Sequence, residues 1–315
     1  MQPLRIALAQ IAPRLGDLEA NLERHHELLR EGREAGAGLV VFPELGLTGY
    51  LLQDLAGDVA MRRDDERLGK LARETKDLSA IVGFVEESED HRLFIAAALL
   101  EDGKLRHVHR KVFLPTYGLF DERRFFGAGS QLRAVDSRIG ARLGLAICED
   151  FWHLAVPQVL ALDGAEVLVN VSSSPGRDVA SVDGVGLGTA TSWRTLMRTY
   201  AQLTTSLVVF VNRVGNEESV SFWGGSEVIG PSGGACFSAP LHDEGLFFAD
   251  VDLDDVRRER IALPLLRDEQ PDTVARQLER IVRERAGFSP DGTTDGAADV
   301  ESELDLRSSA NRRSR

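Results

Sequence analysis

Three strand-like runs in this chain each end on a reactive residue. LVVFPE ends in Glu44, RHVHRK in Lys111 and GLAIC in Cys148. Strand ends are where α/β folds display functional groups. Singly, each is ordinary: a lone cysteine after an apolar strand is usually a small core residue, and a terminal Glu or Lys is a solvated cap. Together they supply a nucleophile, a proton acceptor and a cation for a developing oxyanion, the parts that acyl transfer needs. One detail opposes this. In GLAICEDFW, Cys148 is followed at once by Glu149 and Asp150. Anions raise a thiol pKa and cations lower it. Adjacent side chains of extended or tightly turning backbone point apart, so the charges that bear on Cys148 are expected from Lys111 and Glu44 instead.

The elements that would position these residues alternate in type. Strands are expected over 4–11, 38–44, 79–87, 142–148, 166–174, 207–213 and 245–253. Asp17 can cap a helix running to about Ala35, with Leu18, Leu22 and Leu29 at helical spacing and Gly36 as a stop. Further helices are expected around 65–76, over VPQVLALDGA and over 191–204. RLFIAAALL and KLRHVHRKV flank Asp102-Gly103, a hairpin signal. SFWGGSEVIGPSGGACFS reads as two strands joined around Gly230–Gly233. This is an α/β pattern with mixed strand pairing.

Composition narrows the setting. The chain has 315 residues and a formal charge of −13, from 37 basic and 50 acidic residues. Such a surface repels phosphate backbones, so no nucleic-acid partner is expected. Two cysteines make no disulfide framework. MQPLRIALAQIAP lacks the features of a signal peptide, and no apolar run approaches the ~20 residues of a membrane span. A cytoplasmic protein without a membrane partner is expected. From Phe288 onward the sequence is polar and aperiodic, so a domain over 1–287 and a disordered tail over 288–315 are expected.

Several smaller features have bland readings. His107 and His109 share a strand face, but a third ligand at suitable spacing is missing and no metal is expected. Trp152 reads as packing, His153 as a supporting or surface group, and Cys236 as a structural thiol. In Trp223-Gly224-Gly225-Ser226 the glycines permit either close backbone approach or a strand bulge.

FPELGLTGY, HRKVFLPTYGLFDERRFF and GLAICEDFW together resemble the nitrilase superfamily of carbon–nitrogen hydrolases, over roughly residues 4–285. The resemblance implies a four-layer αββα sandwich with two facing mixed sheets, and no cofactor. It makes Cys148 the nucleophile and Glu44 the general base. Lys111 would stabilise the oxyanion with the Glu149 N–H, and Glu122 would support Lys111 and substrate. The reaction implied is hydrolysis of a small-molecule amide through a thioester, releasing ammonia.

Within the superfamily, LTGYLLQDL, KVFLPTYGLFDERRFF and ICEDFW are similar to the glutaminase domains of glutamine-dependent NAD synthetases. Thr116 and Phe126 stand where that branch has Asn and Tyr. By this likeness Tyr50, Tyr117, Glu149 and Ser174 would line a glutamine pocket. The chain departs from the branch after VSSSP, where Arg177 lies close to Pro175 and no substrate arginine is placed. A Ser-Gly-Gly-x-Asp-Ser phosphate loop is also missing; PSGGAC reads as a hairpin turn. The expected partners are therefore a separate ammonia-accepting synthetase and, as in the family, further copies of the chain. The alternatives are a carbamoylase, another aliphatic amidase or acyltransferase, and a non-catalytic partner-binding subunit.

Overall fold

The computed structural model describes residues 3–176 and 187–285. The chain begins with β1 (Leu4–Gln10), α1 (Leu18–Glu34), β2 (Leu39–Val41), α2 (Glu66–Arg73), β3 (Ser79–Glu87), β4 (Leu93–Glu101) and β5 (Lys104–Arg110). It continues through α3 (Glu122–Phe125), β6 (Ala134–Asp136), β7 (Arg142–Ile147), α4 (Ala155–Leu162), β8 (Val167–Ser172), α5 (Gly188–Thr204) and β9 (Leu207–Asn212). A hairpin of β10 (Val214–Glu217) and β11 (Val220–Trp223) precedes β12 (Glu227–Ile229), β13 (Ala235–Ser238) and β14 (Gly245–Val251). Helices α6 (Asp254–Ala262), α7 (Leu265–Asp268) and α8 (Pro271–Arg285) follow.

The strands form two six-stranded sheets, ordered β14-β1-β2-β3-β4-β5 and β13-β12-β9-β8-β7-β6. Both are mixed. β1, β2 and β3 run parallel, as do β7, β8 and β9, while β4, β5, β6, β12, β13 and β14 pair antiparallel.

Strand alternation sorts the core into layers. Ile6 and Leu8 of β1, Ile81 and Val85 of β3, and Ile95, Ala97 and Leu99 of β4 join a cluster with Leu145, Ile147, Val169, Val171, Val209 and Val211 of the second sheet. The intervening Ala7, Ala9, Ala80, Val82, Phe84, Ala96 and Ala98 pack with Leu22, Leu28 and Leu29 of α1 and Leu68 and Leu71 of α2. Asp17 caps α1 by accepting from the Ala20 N–H at 3.2 Å. On the far side, Trp193 of α5 stacks on Phe210 of β9, and Gly144 of β7 leaves room for Leu160 of α4. The result is a four-layer αββα sandwich.

The expected elements are present with shifted ends: most strands are shorter, whereas α4 and α5 begin earlier, at Ala155 and Gly188. The strand over 142–148 stops at Ile147 because Cys148 adopts a φ of 44°, which breaks the ladder. A 3₁₀ turn, Cys148–Trp152, begins there. The β10–β11 hairpin was not anticipated. VGNE is rich in poor strand formers and is held by pairing with VSFW.

The chain divides into two compact units, Met1–Leu266 and Arg267–Arg315. The sandwich lies in the first. In the second, α8 has no buried residue. The polar tail expected over 288–315 and Arg177 both lie outside the described residues. Among the described residues no helix is long and apolar enough to cross a membrane.

Candidate active site

Glu44 sits in a turn just past β2. Pro43 has no N–H to continue the ladder, and Gly46 N–H closes the turn on the Pro43 carbonyl at 3.1 Å. The turn rests on Gly83 of β3. A Cβ there would lie 2.3 Å from Pro43 O and 2.6 Å from Leu45 N, so only glycine lets this loop sit down. The Glu44 carboxylate is buried. Its Oε1 accepts from Lys111 Nζ at 2.7 Å and its Oε2 from the Ser173 N–H at 2.8 Å. Ser173 Oγ also donates to the Glu44 carbonyl at 2.8 Å.

Lys111 directly follows β5, anchored by its N–H on Ile95 O at 2.8 Å. Its ammonium is buried between two carboxylates, donating to Glu44 Oε1 and to Glu122 Oε1, each at 2.7 Å. Burial alone would pull this lysine down, but Glu122 and Glu44 outweigh it and hold the pKa well above the ordinary value. Lys111 is therefore a fixed cation. Glu122, the first residue of α3, also accepts from Tyr50 Oη at 2.5 Å. Its Oε2 has no hydrogen-bond partner among the described residues. Burial pushes Glu122 up to about 7, with Lys111 opposing and Glu44 adding to the rise.

Cys148 opens the 3₁₀ turn in left-handed backbone, sparsely populated by residues other than glycine. That turns its thiol out of the strand. Burial pushes the thiol pKa well above its usual value, Glu44 adds to this and Lys111 opposes it. Glu122 and then Glu149 contribute further upward pushes. The larger charge effects on the thiol come from Glu44 and Lys111, as the sequence leads one to expect, with a smaller one from Glu149. The raised pKa favours the thiol form, and the Glu44 carboxylate lies in the same cluster.

Tyr117 Oη donates to both Glu149 oxygens, at 3.1 and 2.9 Å. Burial is the main cause of Glu149's raised pKa. His153 Nε2 lies 3.8 Å from Glu149 Oε1, and its ring stacks on Phe113 at 3.6 Å. Tyr50 is held by its backbone: its N–H and that of Leu51 donate to Glu217, which pairs with buried Arg213. Ser174 stands one residue from Ser173, with its hydroxyl accepting from the indole N–H groups of Trp193 at 2.8 Å and Trp223 at 3.4 Å.

The structure thus gathers Glu44, Lys111, Glu122, Tyr50 and Cys148, and pairs Tyr117 with Glu149. Ser174 bonds to tryptophans, while its neighbour Ser173 holds Glu44. Ser173, Glu217 and Arg213 escaped the sequence reading. VSSSP carried a signal for Ser173, but nothing local marks Glu217. His109 bonds to Asp150, and among the described residues no group of three or more His, Cys, Asp or Glu could hold a metal ion. Gly224 and Gly225 both have positive φ. A Cβ would meet Gln10 at 2.6 Å in the first and the Trp223 ring at 2.4 Å in the second, so close approach explains them. Cys236 is a free, exposed cysteine.

The family model for carbon-nitrogen hydrolases matches residues 5–260. The chain belongs to that family. It is a hydrolase of carbon–nitrogen bonds other than peptide bonds. The glutamine-dependent NAD(+) synthetase of Thermotoga maritima is 36% identical over 273 residues, covering 84% of this hydrolase and 45% of the relative. N-carbamoylputrescine amidase of Solanum tuberosum is 27% identical, covering 81% of this hydrolase and 89% of the amidase. Among solved structures, a glutamine-dependent NAD+ synthetase from Acinetobacter baumannii superposes with a TM-score of 0.71 at 28% identity, covering 81% of this chain and 47% of that one. The hydrolase spans about half the length of the synthetases it matches.

Proposed function

We propose that this hydrolase cleaves a small amide by a Cys148–Glu44–Lys111 mechanism. Cys148 Sγ attacks the amide carbon while Glu44 takes the thiol proton. The carbonyl oxygen becomes an oxyanion, stabilised by Lys111 Nζ and the Glu149 N–H. The C–N bond then breaks. The proton on Glu44 passes to the leaving nitrogen, giving ammonia and a thioester on Cys148. Water, deprotonated by Glu44, attacks the thioester; the acid leaves and the thiol is restored. Glu122 and Tyr50 hold Lys111 in place. The observation that carries this reading is the buried Lys111 ammonium bridging Glu44 and Glu122 beside a left-handed cysteine.

The substrate this reading favours is glutamine, with Tyr117 and Glu149 at its ammonium end and Tyr50 and Ser174 lining the pocket. Its support is the buried Glu149 carboxylate next to Cys148 and the likeness to the synthetases. On this reading the ammonia would serve NAD synthesis, as the names of the synthetase relatives suggest. The second reading, an N-carbamoyl amine, is supported by the potato amidase, most of whose length this chain covers. The two differ in products: a carbamoyl substrate gives carbon dioxide as well as ammonia. Purified protein would be assayed with glutamine, asparagine, N-carbamoyl amines and short aliphatic amides. Glutamate and ammonia from glutamine, abolished in Cys148→Ala with folding intact, are expected. Wild-type turnover by Cys148→Ala would sink the mechanism. Turnover of only carbamoyl compounds would replace the substrate.

A further inference from the structure

Lys111 and Cys148 belong to different sheets. Lys111 follows β5 at the edge of the first, and Cys148 follows β7 in the second. Between the sheets lies apolar packing, which is non-directional. A catalytic ammonium must hold its place far more tightly than that, since a misplacement of ~1 Å costs about 100-fold in rate. Some polar contact must therefore fix one sheet end to the other.

The Asp150 carboxylate occupies that place. It is fully buried, and both its oxygens are shared. Oδ1 accepts from the Val112 and Phe113 N–H groups, each at 3.0 Å. These are the two residues after Lys111. Oδ2 accepts from the Ile147 N–H at 3.0 Å and from His109 Nε2 at 2.9 Å. Ile147 is the residue before Cys148, and His109 lies two residues before Lys111. A carboxylate has about four acceptor sites, and here all four are used. Three donors come from the Lys111 segment and one from the base of the Cys148 turn. The bond to Ile147 also closes the turn in which Cys148 takes its positive φ.

We propose that Asp150, oriented by buried His109, is a positioning residue that fixes Lys111 against Cys148 across the two sheets. It touches neither substrate nor the reacting atoms; it acts through both backbone segments. The proposal rests on the reading of Cys148 as nucleophile and Lys111 as its cation. It does not depend on which amide is cleaved. It also gives the acid two places after the cysteine a task distinct from that of Glu149.

The test reads the thiol directly. Inactivation by iodoacetamide would be followed against pH, beside kcat and KM for whichever amide is turned over. Asp150→Asn puts an NH2 group opposite existing donors. Expected are a fall in kcat of about 100-fold with KM nearly unchanged, and an inactivation profile displaced to higher pH as Lys111 loses its hold near the thiol. His109→Phe, losing one donor, should shift the profile less in the same direction, and His109→Gln, keeping an N–H, should restore it. Glu101→Gln is the control for a merely structural acid. That carboxylate is equally buried, accepts from Ser79 and Ser137, and lies at the far end of β4 from Ile95. It should lower thermal stability and leave the profile in place. An Asp150→Asn profile that overlays the wild type, or an equal displacement by Glu101→Gln, overturns the proposal. If Asp150→Asn does not fold, the histidine variants decide: identical profiles for His109→Phe and His109→Gln overturn it. Alkylation of wild-type Cys148 without loss of turnover would instead sink the nucleophile reading on which all this stands.

Discussion

At the scale of residues, the site is a problem in buried charge. The Lys111 ammonium keeps its charge in this buried place because Glu122 and Glu44 face it, and Glu122 in turn leans on Lys111. The weakest member is Glu122, pushed up to about 7 by burial. Below that pH it is protonated and grips the ammonium poorly; above it the anion completes the pairing. Turnover is expected to rise with pH through about 7. In Glu122→Gln that limb should vanish from the rate–pH profile and the plateau should fall at least about 10-fold. A limb that persists in Glu122→Gln would assign it to another group. Glu44, Lys111 and Cys148 stood out in the sequence because each follows a strand-like run inside a distinctive word, and Glu122 because it lies in the word that begins at Lys111. Ser173, Glu217 and Asp150 did not. Their tasks depend on which strand end lies beside which, and that is set by sheet-on-sheet packing between segments far apart in sequence.

At the scale of elements, the site depends on loops lying close to strands. Gly83 interrupts β3 with no side chain where the Glu44 turn crosses it, and the Leu47 N–H bonds to the Gly83 carbonyl at 3.1 Å. The atoms that a Cβ would meet are backbone, which cannot rotate aside. Gly83→Ala should cost about 1–3 kcal/mol of stability, measured by urea melts. It should also reduce turnover of the remaining folded protein, because the displaced segment carries Glu44. Unchanged turnover per folded molecule would show that Glu44 tolerates the movement. Strands and helices were legible here from alternation and helical spacing, since nearly every strand buries both faces or one clean face. The hairpin β10–β11 was not, because its strand residues gain their conformation from each other.

At the scale of the whole molecule, the hydrolase fold occupies the first compact unit, Met1–Leu266. Beyond it, α8 exposes Val274, Leu278 and Val282 and buries nothing. A chain ending at Leu266 is therefore expected to melt within a few degrees of the full chain and to keep its thiol chemistry, as differential scanning calorimetry and iodoacetamide labelling would show. A large drop in melting temperature would mean that the remainder contributes to folding. One last feature gives the experimenter an optical handle. The chain has three tryptophans. Trp152 meets Trp193 edge-on, Phe210 is stacked between Trp193 and Trp223, and both of the latter indoles bond to Ser174, next to the serine that holds Glu44. The tryptophan emission of this protein thus originates in one aromatic cluster joined through Ser174 to the segment that holds Glu44, so a ligand or acyl group arriving there is expected to change it, which a stopped-flow cell would time without any added dye.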